Sequence, residues 1–116
     1  MAELTGLTSL QLWLDPSISG DIVNLSKLTN LQQVDLYDHS NIYGDIAAFT
    51  NCTKLQTLRL WNCPQISGSI DYFANKPNLF HLKLSQTQVS GSVNSLANLT
   101  KLQSLDVNNL HKPGMV

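Results

Sequence analysis

Apolar residues recur along the chain with a fixed period. Short runs in which apolar and polar residues alternate read LTSLQL from Leu7, LQQVDL from Leu31, LQTLRL from Leu55, LFHLKL from Leu79 and LQSLDV from Leu102. The starts of these runs are 24, 24, 24 and 23 residues apart (31−7, 55−31, 79−55 and 102−79). Because alternation with a period of two is typical of a β-strand with one buried face, the sequence predicts five equivalent strands.

Two further signatures keep the same phase. A glycine-containing segment reads ISGDI at Ile18, IYGDI at Ile42, ISGSI at Ile66 and VSGSV at Val89, and the segments LSKLTNL, FTNCTKL, FANKPNL and LANLTKL follow it. The apolar positions of the second period are Leu31, Val34, Leu36, Ile42, Ile46, Phe49 and Cys52. One coil has no second layer to cover these side chains, so the pattern predicts stacked coils that bury them against each other, with their strands in a parallel sheet.

The segments between strands carry their own predictions. The glycine of each second signature indicates a tight bend or a backbone with positive φ. The last segment of each period is too short for a long helix, so we expect extended structure or 3₁₀ turns on the side opposite the strands.

This combination resembles a leucine-rich repeat, and the motifs cover Met1 to about Asn109. The SG[DS]I segments are similar to plant-type repeats, whereas LANLTKLQSL is more like bacterial repeats of the internalin kind. The resemblance implies an α/β fold, a right-handed solenoid with a concave parallel sheet and turns or short 3₁₀ segments on the convex side. We interpret 1–116 as one domain of about four and a half repeats without capping modules, which favours a segment of a longer array over ends that pack on other subunits.

Two departures from the repeat pattern change the picture. The family usually places asparagine three residues after the last strand leucine, and that slot here holds Asp15, His39, Cys63 and Thr87. We therefore expect this turn to be less regular. In addition, Lys76 occupies an inward slot that elsewhere holds Leu28, Cys52 or Leu99. The lysine stem can pack while its amine reaches out to solvent.

The alternation also assigns the outward positions of the concave face, in three columns. The first column is Ser9, Gln33, Thr57, His81 and Ser104; the second is Gln11, Asp35, Arg59, Lys83 and Asp106; the third is Trp13, Tyr37, Trp61, Ser85 and Asn108. The aromatic residues of the third column fit a binding hot spot, since Trp and Tyr give rigid contact area. A cross-strand aromatic ladder that only stabilises the sheet is the alternative interpretation.

The second column sets opposite charges side by side, Asp35 beside Arg59 and Lys83 beside Asp106. Lateral ion pairs explain this column without any ligand, although each exposed pair contributes little. The functional alternative is that Arg59 and Lys83 bind a carboxylate or an anionic sugar. His81 lies next to Ser104, but the sequence has no nucleophile elbow, so we predict no catalysis.

Composition excludes several classes of function. Seven Lys and Arg against eight Asp and Glu give a net charge of −1, so no basic field is available for nucleic acid. No apolar run is long enough to insert into a membrane. There is no phosphate loop and no metal-binding motif, so we expect no cofactor and no metal. Sequons occur at Asn24, Asn51 and Asn98; Asn51 and Asn98 share one repeat slot, so repeat consensus explains them better than glycosylation does.

The resemblance implies a non-catalytic recognition module that binds a protein partner through the concave face. We expect apolar contacts from Trp13, Tyr37 and Trp61 and polar contacts from Arg59, Lys83, His81 and Asp35. A glycan-binding surface built on the aromatic column is one alternative, and a structural spacer that self-associates through uncapped ends is another. The resemblance also favours a cell-surface or secreted location, while the partner itself cannot be inferred from fold analogy.

Overall fold

The structure is a computed structural model, and it describes residues 5–12, 17–36, 38 and 40–106. In this part of the chain the strands, in order, are β1 (Ser9–Gln11), β2 (Gly20–Asp21), β3 (Gln33–Asp35), β4 (Ile42–Asp45), β5 (Thr57–Arg59), β6 (Gln65–Ser69), β7 (His81–Lys83), β8 (Gln88–Ser90) and β9 (Ser104–Asp106). The 3₁₀ helices between them are η1 (Ile22–Leu25), η2 (Ile46–Phe49), η3 (Ile70–Phe73) and η4 (Val93–Leu96). None of the helices in the described ranges is long and apolar enough to cross a membrane.

The strands form two parallel sheets. The five-stranded sheet has the order β1-β3-β5-β7-β9, and the strand of each coil pairs with the strand of the next coil. The predicted parallel sheet is therefore confirmed, with each strand starting two residues after the leucine that opens its motif. A four-stranded sheet has the order β2-β4-β6-β8, and the sequence analysis did not anticipate it.

The second sheet explains the glycine signature. Gly44 and Gly68 have φ of 126° and 123° and lie inside strands rather than at tight bends. A Cβ atom on Gly44 would collide with Oδ1 of Asp21, and one on Gly68 would collide with Oδ1 of Asp45. Each glycine is thus required by its positive φ and by the side chain of the preceding coil.

The same carboxylates begin the 3₁₀ helices. Asp21 Oδ1 accepts a hydrogen bond from the Val23 backbone N–H at 2.8 Å, and Asp45 Oδ1 accepts one from Ala47 at 2.8 Å. Ser69 plays the same part for η3. Asp and Ser are strong N-cap residues because their oxygens satisfy N–H groups that have no partner within the helix. The SG[DS]I motif therefore combines a helix cap with the space that the cap needs, and the expectation of 3₁₀ turns is confirmed.

The core lies between the two sheets and the 3₁₀ helices, as the stacking argument predicts. All seven apolar positions of the second period are buried, at 4% exposure or less. Their equivalents in the next coil are buried as well: Leu55, Leu58, Leu60, Ile66, Ile70 and Phe73. Burial of this kind stabilises by about 1.5–3 kcal/mol for each large apolar side chain, which no isolated coil could gain.

The turn that lacks the family asparagine is hydrogen-bonded by other means. Cys63 and Thr87 are buried, and their Sγ and Oγ1 atoms donate to the backbone carbonyls of Leu36 and Leu84. The residue before each of them is left-handed, with φ of 57° at Asn62 and 60° at Gln86. The expected irregularity is therefore not seen in these two coils. The corresponding Asp15 and His39 lie outside the described residues.

Lys76 corrects the sequence analysis. Its side chain is completely buried instead of reaching solvent. The ammonium donates to the Thr50 carbonyl at 3.1 Å and to Asn75 Oδ1 at 3.0 Å. One oxygen of the preceding coil and one of the adjacent residue thus accept from the amine inside the coil. The equivalent slot of the preceding coil holds Cys52, which is smaller than leucine, so the longer lysine side chain fits above it.

Candidate functional site

The outer face of the five-stranded sheet, called the sheet face below, carries the first two predicted columns in register. In the first column each residue is the register partner of the next, in the order Ser9, Gln33, Thr57, His81 and Ser104. The second runs through Gln11, Asp35, Arg59, Lys83 and Asp106. The register of both columns is confirmed, so neighbours within a column are about 4.8 Å apart.

Not every outward position is exposed. Thr57 is only 7% exposed, because it lies between the longer side chains of its register partners Gln33 and His81. Ser85, in the third column, is 6% exposed. The accessible part of the sheet face is therefore formed mainly by long side chains.

Asp35 and Arg59 form the predicted ion pair, but not as a pair of exposed side chains. Arg59 Nη1 lies 3.4 Å from Asp35 Oδ2, and Gln33 Nε2 donates to the same oxygen at 3.4 Å. Asp35 is only 2% exposed, and its Oδ1 has no hydrogen-bond partner in the described part of the chain. The side chain of Arg59 is 34% exposed. The pair therefore consists of a desolvated carboxylate beneath a guanidinium that reaches solvent.

The second predicted ion pair is wrong. Lys83 Nζ lies 5.0 Å from the centroid of the Trp61 ring, which is a cation–π contact. Asp106, the register partner of Lys83, accepts a hydrogen bond from Ser85 Oγ at 3.3 Å. Lys83 therefore contacts Trp61 instead of Asp106, which the charge pattern had predicted as its partner. Among the described residues, the ion pair present is that of Arg59 and Asp35.

The aromatic column is described at one of its three positions. Trp61 lies two residues after the end of β5 and is partly exposed. Its carbonyl accepts from the backbone N–H of Asp38 at 3.3 Å, which fixes this position against the preceding coil. Trp13, Tyr37 and Asn108 lie outside the described residues, so the prediction that three aromatic side chains share one column stays a prediction.

His81 reports the charge around it. Partial burial and the positive charges of Arg59 and Lys83 lower the pKa of its imidazole, and the negative charge of Asp35 opposes this less strongly. The imidazole is therefore neutral near pH 7. His81 and Ser104 are register partners, while the Asp106 carboxylate faces Ser85, so these three residues are not arranged as a relay.

A row of polar residues at the ends of the strands was missed by sequence reasoning. Asp38, Asn62 and Gln86 all have left-handed backbone, with φ of 66°, 57° and 60°. Asn62 Nδ2 donates to Asp38 Oδ1 at 2.7 Å, so the row links neighbouring coils beside Trp61. The signal was present, since Asn and Asp tolerate this conformation better than other residues with side chains.

The described residues also include two cysteines and a cavity. Cys52 and Cys63 are free and buried, and burial raises the pKa of the Cys52 thiol although nearby Lys76 opposes the shift. The described residues contain no group of three or more His, Cys, Asp or Glu that could hold a metal ion. A cavity of about 450 Å³ lies in the first coils, lined mainly by apolar residues such as Leu12, Ile18 and Leu36.

Comparisons with known proteins agree with this geometry. No family model and no curated protein matches the sequence. Among solved structures, internalin C2 of Listeria monocytogenes is 34% identical to the chain, with a TM-score of 0.67 over 90% of this chain and 43% of that protein. The plant peptide hormone receptor RGFR1, solved in complex with RGF2, is 27% identical with a TM-score of 0.78, over 90% of this chain and 17% of the receptor.

A leucine-rich repeat protein of Leptospira interrogans shares the fold at 23% identity, with a TM-score of 0.79 over 99% of this chain and 29% of that protein. The chain therefore spans less than half the length of each of these three proteins. The repeats, the parallel sheets and these similarities together place the chain among the leucine-rich repeat proteins.

Proposed function

We propose that this chain is a non-catalytic recognition module that binds a protein partner on the sheet face. The observation that carries the proposal is the grouping of Trp61, Lys83 and Arg59, which lie together and are partly exposed. Trp and Arg are the residues most enriched at the energetic centres of protein interfaces. Folding of the sheet does not by itself require a tryptophan and two cations on its outer side.

The similar solved structures support the same class of function. The plant receptor is named as a peptide hormone receptor and was solved with RGF2 bound. Because fold similarity carries over the class of function and not the partner, the particular partner of this chain has to be found by experiment. The predicted site residues Trp13 and Tyr37 would extend the aromatic surface from Trp61 toward the first coil.

The residues of the proposed site have different roles. Trp61 supplies apolar area, and Lys83 covers one side of its ring. Arg59 presents the outward part of its guanidinium, and Asp35 holds that group from beneath. His81 is neutral near pH 7 and offers one donor and one acceptor. The surface thus combines an apolar centre with polar groups around it, which is the usual composition of a binding patch.

Selection of peptides from a displayed random library tests this proposal. Peptides selected against the immobilised chain are synthesised, and their dissociation constants are measured for the wild type, Trp61→Ala and Tyr72→Ala. Tyr72 is the matched control because it is 39% exposed but lies in η3, away from the sheet face. We expect Trp61→Ala to weaken binding tenfold or more and Tyr72→Ala to change it less than twofold.

Thermal unfolding of each variant shows whether it remains folded. Arg59→Gln is a second substitution on the sheet face. Its effect on peptide binding tests the same surface without removing an apolar side chain. Selected peptides that bind Trp61→Ala and Arg59→Gln as tightly as the wild type, but lose affinity for Tyr72→Ala, would place the binding surface elsewhere and contradict the proposal.

A further inference from the structure

Arg59 and Lys83 form an unusual pair of neighbours on the sheet face. They are register partners on the adjacent parallel strands β5 and β7, so their backbones are about 4.8 Å apart. Like charges placed opposite each other on neighbouring strands destabilise a sheet. The fold therefore keeps two cations side by side at a cost in stability, and the question is what offsets their repulsion.

The protein's own carboxylates offset it only in part. Asp35 reaches Arg59 through one nitrogen at 3.4 Å, beyond the usual length of a charge-assisted hydrogen bond. A guanidinium has five N–H donors, and this contact occupies one side of the group. Asp106 is the register partner of Lys83, yet its carboxylate accepts from Ser85. Lys83 therefore forms no ion pair among the described residues, and the outward side of the Arg59 guanidinium remains partly exposed to solvent.

The surroundings of Lys83 and His81 give further evidence on the charge at this part of the sheet face. The Lys83 ammonium contacts the ring of Trp61 rather than a carboxylate. Burial is the largest cause of the lowered pKa of His81, and among the neighbouring charges Arg59 and Lys83 lower it more than Asp35 raises it. At His81 the two cations therefore outweigh Asp35, although the whole chain carries a net charge of −1.

We propose that the sheet face selects an acidic segment of its protein partner, with one Asp or Glu carboxylate held between Arg59 and Lys83 beside the ring of Trp61. This inference rests on the proposed function and specifies its ligand. A carboxylate has two oxygens and can accept from both cations at once, which removes their mutual repulsion. Trp61 provides an apolar surface for the side chain that flanks the acidic residue.

Two blocked peptides test the proposal directly. Acetyl-Gly-Ser-Leu-Glu-Leu-Ser-Gly-amide and the same peptide with Gln in place of Glu have no terminal charges, so they differ only in the carboxylate. Each is titrated into the isotope-labelled chain, and the Arg59 Nε–H and Trp61 indole N–H signals are followed by NMR. We expect the Glu peptide to shift both signals and to bind at least fivefold tighter than the Gln peptide, with the difference shrinking as salt is added.

Variants locate the contact. Arg59→Gln should weaken binding of the Glu peptide at least tenfold. Lys27→Gln removes the same charge from an exposed position in the turn after η1 and should change binding less than twofold. Asp35→Asn should tighten binding of the Glu peptide severalfold, because it removes the internal carboxylate that competes for Arg59.

Any of the following results would overturn the inference: equal binding of the Glu and Gln peptides, no binding of either, an equal loss in Lys27→Gln and Arg59→Gln, or tighter binding of a sulfated disaccharide than of the Glu peptide. The last result would identify an anionic glycan as the ligand. Library peptides that need Trp61 but contain no acidic residue would also contradict it, while leaving the proposed function intact. If no substitution on the sheet face changed the binding of any peptide, both this inference and the proposed function would be contradicted.

Discussion

Two buried charges in this molecule differ in how the fold treats them. Lys76 lies inside a turn at the far side of the coil, is fully buried and donates to two neutral oxygens at 3.0 and 3.1 Å. Asp35 lies on the sheet face, is 2% exposed and has a cation at 3.4 Å, yet one of its oxygens has no partner among the described residues. The Lys76 nitrogen has two acceptors inside the coil, whereas one carboxylate oxygen of Asp35 has no partner among the described residues.

The repeats supply internal controls for this comparison. The slot of Lys76 holds leucine in two other coils, at Leu28 and Leu99, so the backbone there needs no charge. The column of Asp35 holds uncharged Gln11, the cations Arg59 and Lys83 and a second carboxylate, Asp106, in other coils, so a strand can form without a carboxylate at this position. A desolvated, incompletely bonded charge costs stability. Retaining one on the sheet face is more consistent with binding than with folding.

The largest expected effect comes from reversing the charge of Lys76. In Lys76→Glu a carboxylate would face the Thr50 carbonyl and Asn75 Oδ1, the two oxygens that now accept from the ammonium. A buried charge with no donor is among the few changes that cost several kcal/mol, so we expect the free energy of unfolding to fall by about 3–5 kcal/mol in urea denaturation.

Lys54→Glu is the matched control for Lys76→Glu. Lys54 is exposed and donates to Asn30 Oδ1 at 2.7 Å, so the same charge reversal there should cost less than about 1 kcal/mol. Equal losses in the two variants would show that the burial of Lys76 has no energetic consequence.

A smaller effect of the opposite sign is expected when the charge at Lys76 is removed and its shape is kept. Burial lowers the pKa of Lys76 below its ordinary value of 10.5, which means that the folded state disfavours the ammonium. Replacing a buried ion by an apolar side chain of similar volume is often neutral or stabilising. Lys76→Met should therefore raise the free energy of unfolding by about 1 kcal/mol near pH 7.

The pH dependence of this gain has a defined sign. Between the lowered pKa of folded Lys76 and 10.5, the unfolded state binds more protons, so the stability of the wild type rises with pH in this window. The advantage of Lys76→Met should shrink over the same window. Both proteins carry Cys52→Ala in this measurement, because the raised pKa of Cys52 acts in the opposite direction above pH 9.0. A gain that is constant from pH 7 to 10.5 would contradict the assignment.

Asp35 provides the contrasting case, in which stability changes little and binding changes more. Asp35→Asn loses the contact to Arg59 but also removes the desolvation of a carboxylate with an unpartnered oxygen. These terms oppose each other, so we expect the free energy of unfolding to change by less than about 1 kcal/mol. Chemical denaturation measures it, with Arg59→Gln as the partner control. A loss above about 3 kcal/mol would make Asp35 a structural residue and would remove the contrast with Lys76.

Sequence predicted the regular features of this molecule because they repeat. The phase of the leucines fixed the register that places Arg59 beside Lys83 and Asp35, and the structure confirms it. The sequence pattern did not predict the outcome at single side chains. Residue spacing does not determine how far a side chain extends across neighbouring coils. It therefore could not predict that Lys83 contacts Trp61 instead of Asp106, or that the amine of Lys76 donates to oxygens inside the coil.

The sheet between the glycine segments shows the same limit. The sequence left a tight bend and a positive φ open as alternatives at these glycines, and Gly44 and Gly68 have positive φ within extended strands. Only the packing of the Asp21 and Asp45 caps above these glycines shows why the chain stays extended there. Local signals were therefore sufficient for the conformation of one residue and insufficient for its pairing with the next coil.

The smallest expected effect is a change in the titration of His81, and it measures the field at the sheet face without any ligand. Removing either neighbouring cation should move the pKa of His81 back toward its ordinary value of 6.5, with Arg59→Gln and Lys83→Gln acting in the same direction and Lys27→Gln having no effect. The wild type should also lose stability as the pH falls below 6.5, because its unfolded state takes up the proton first. NMR of the imidazole signals measures each pKa. If the pKa of His81 falls further or stays fixed in both variants, Arg59 and Lys83 do not determine the electrostatic field at His81. The contrast between the sheet face and the buried Lys76 is then lost.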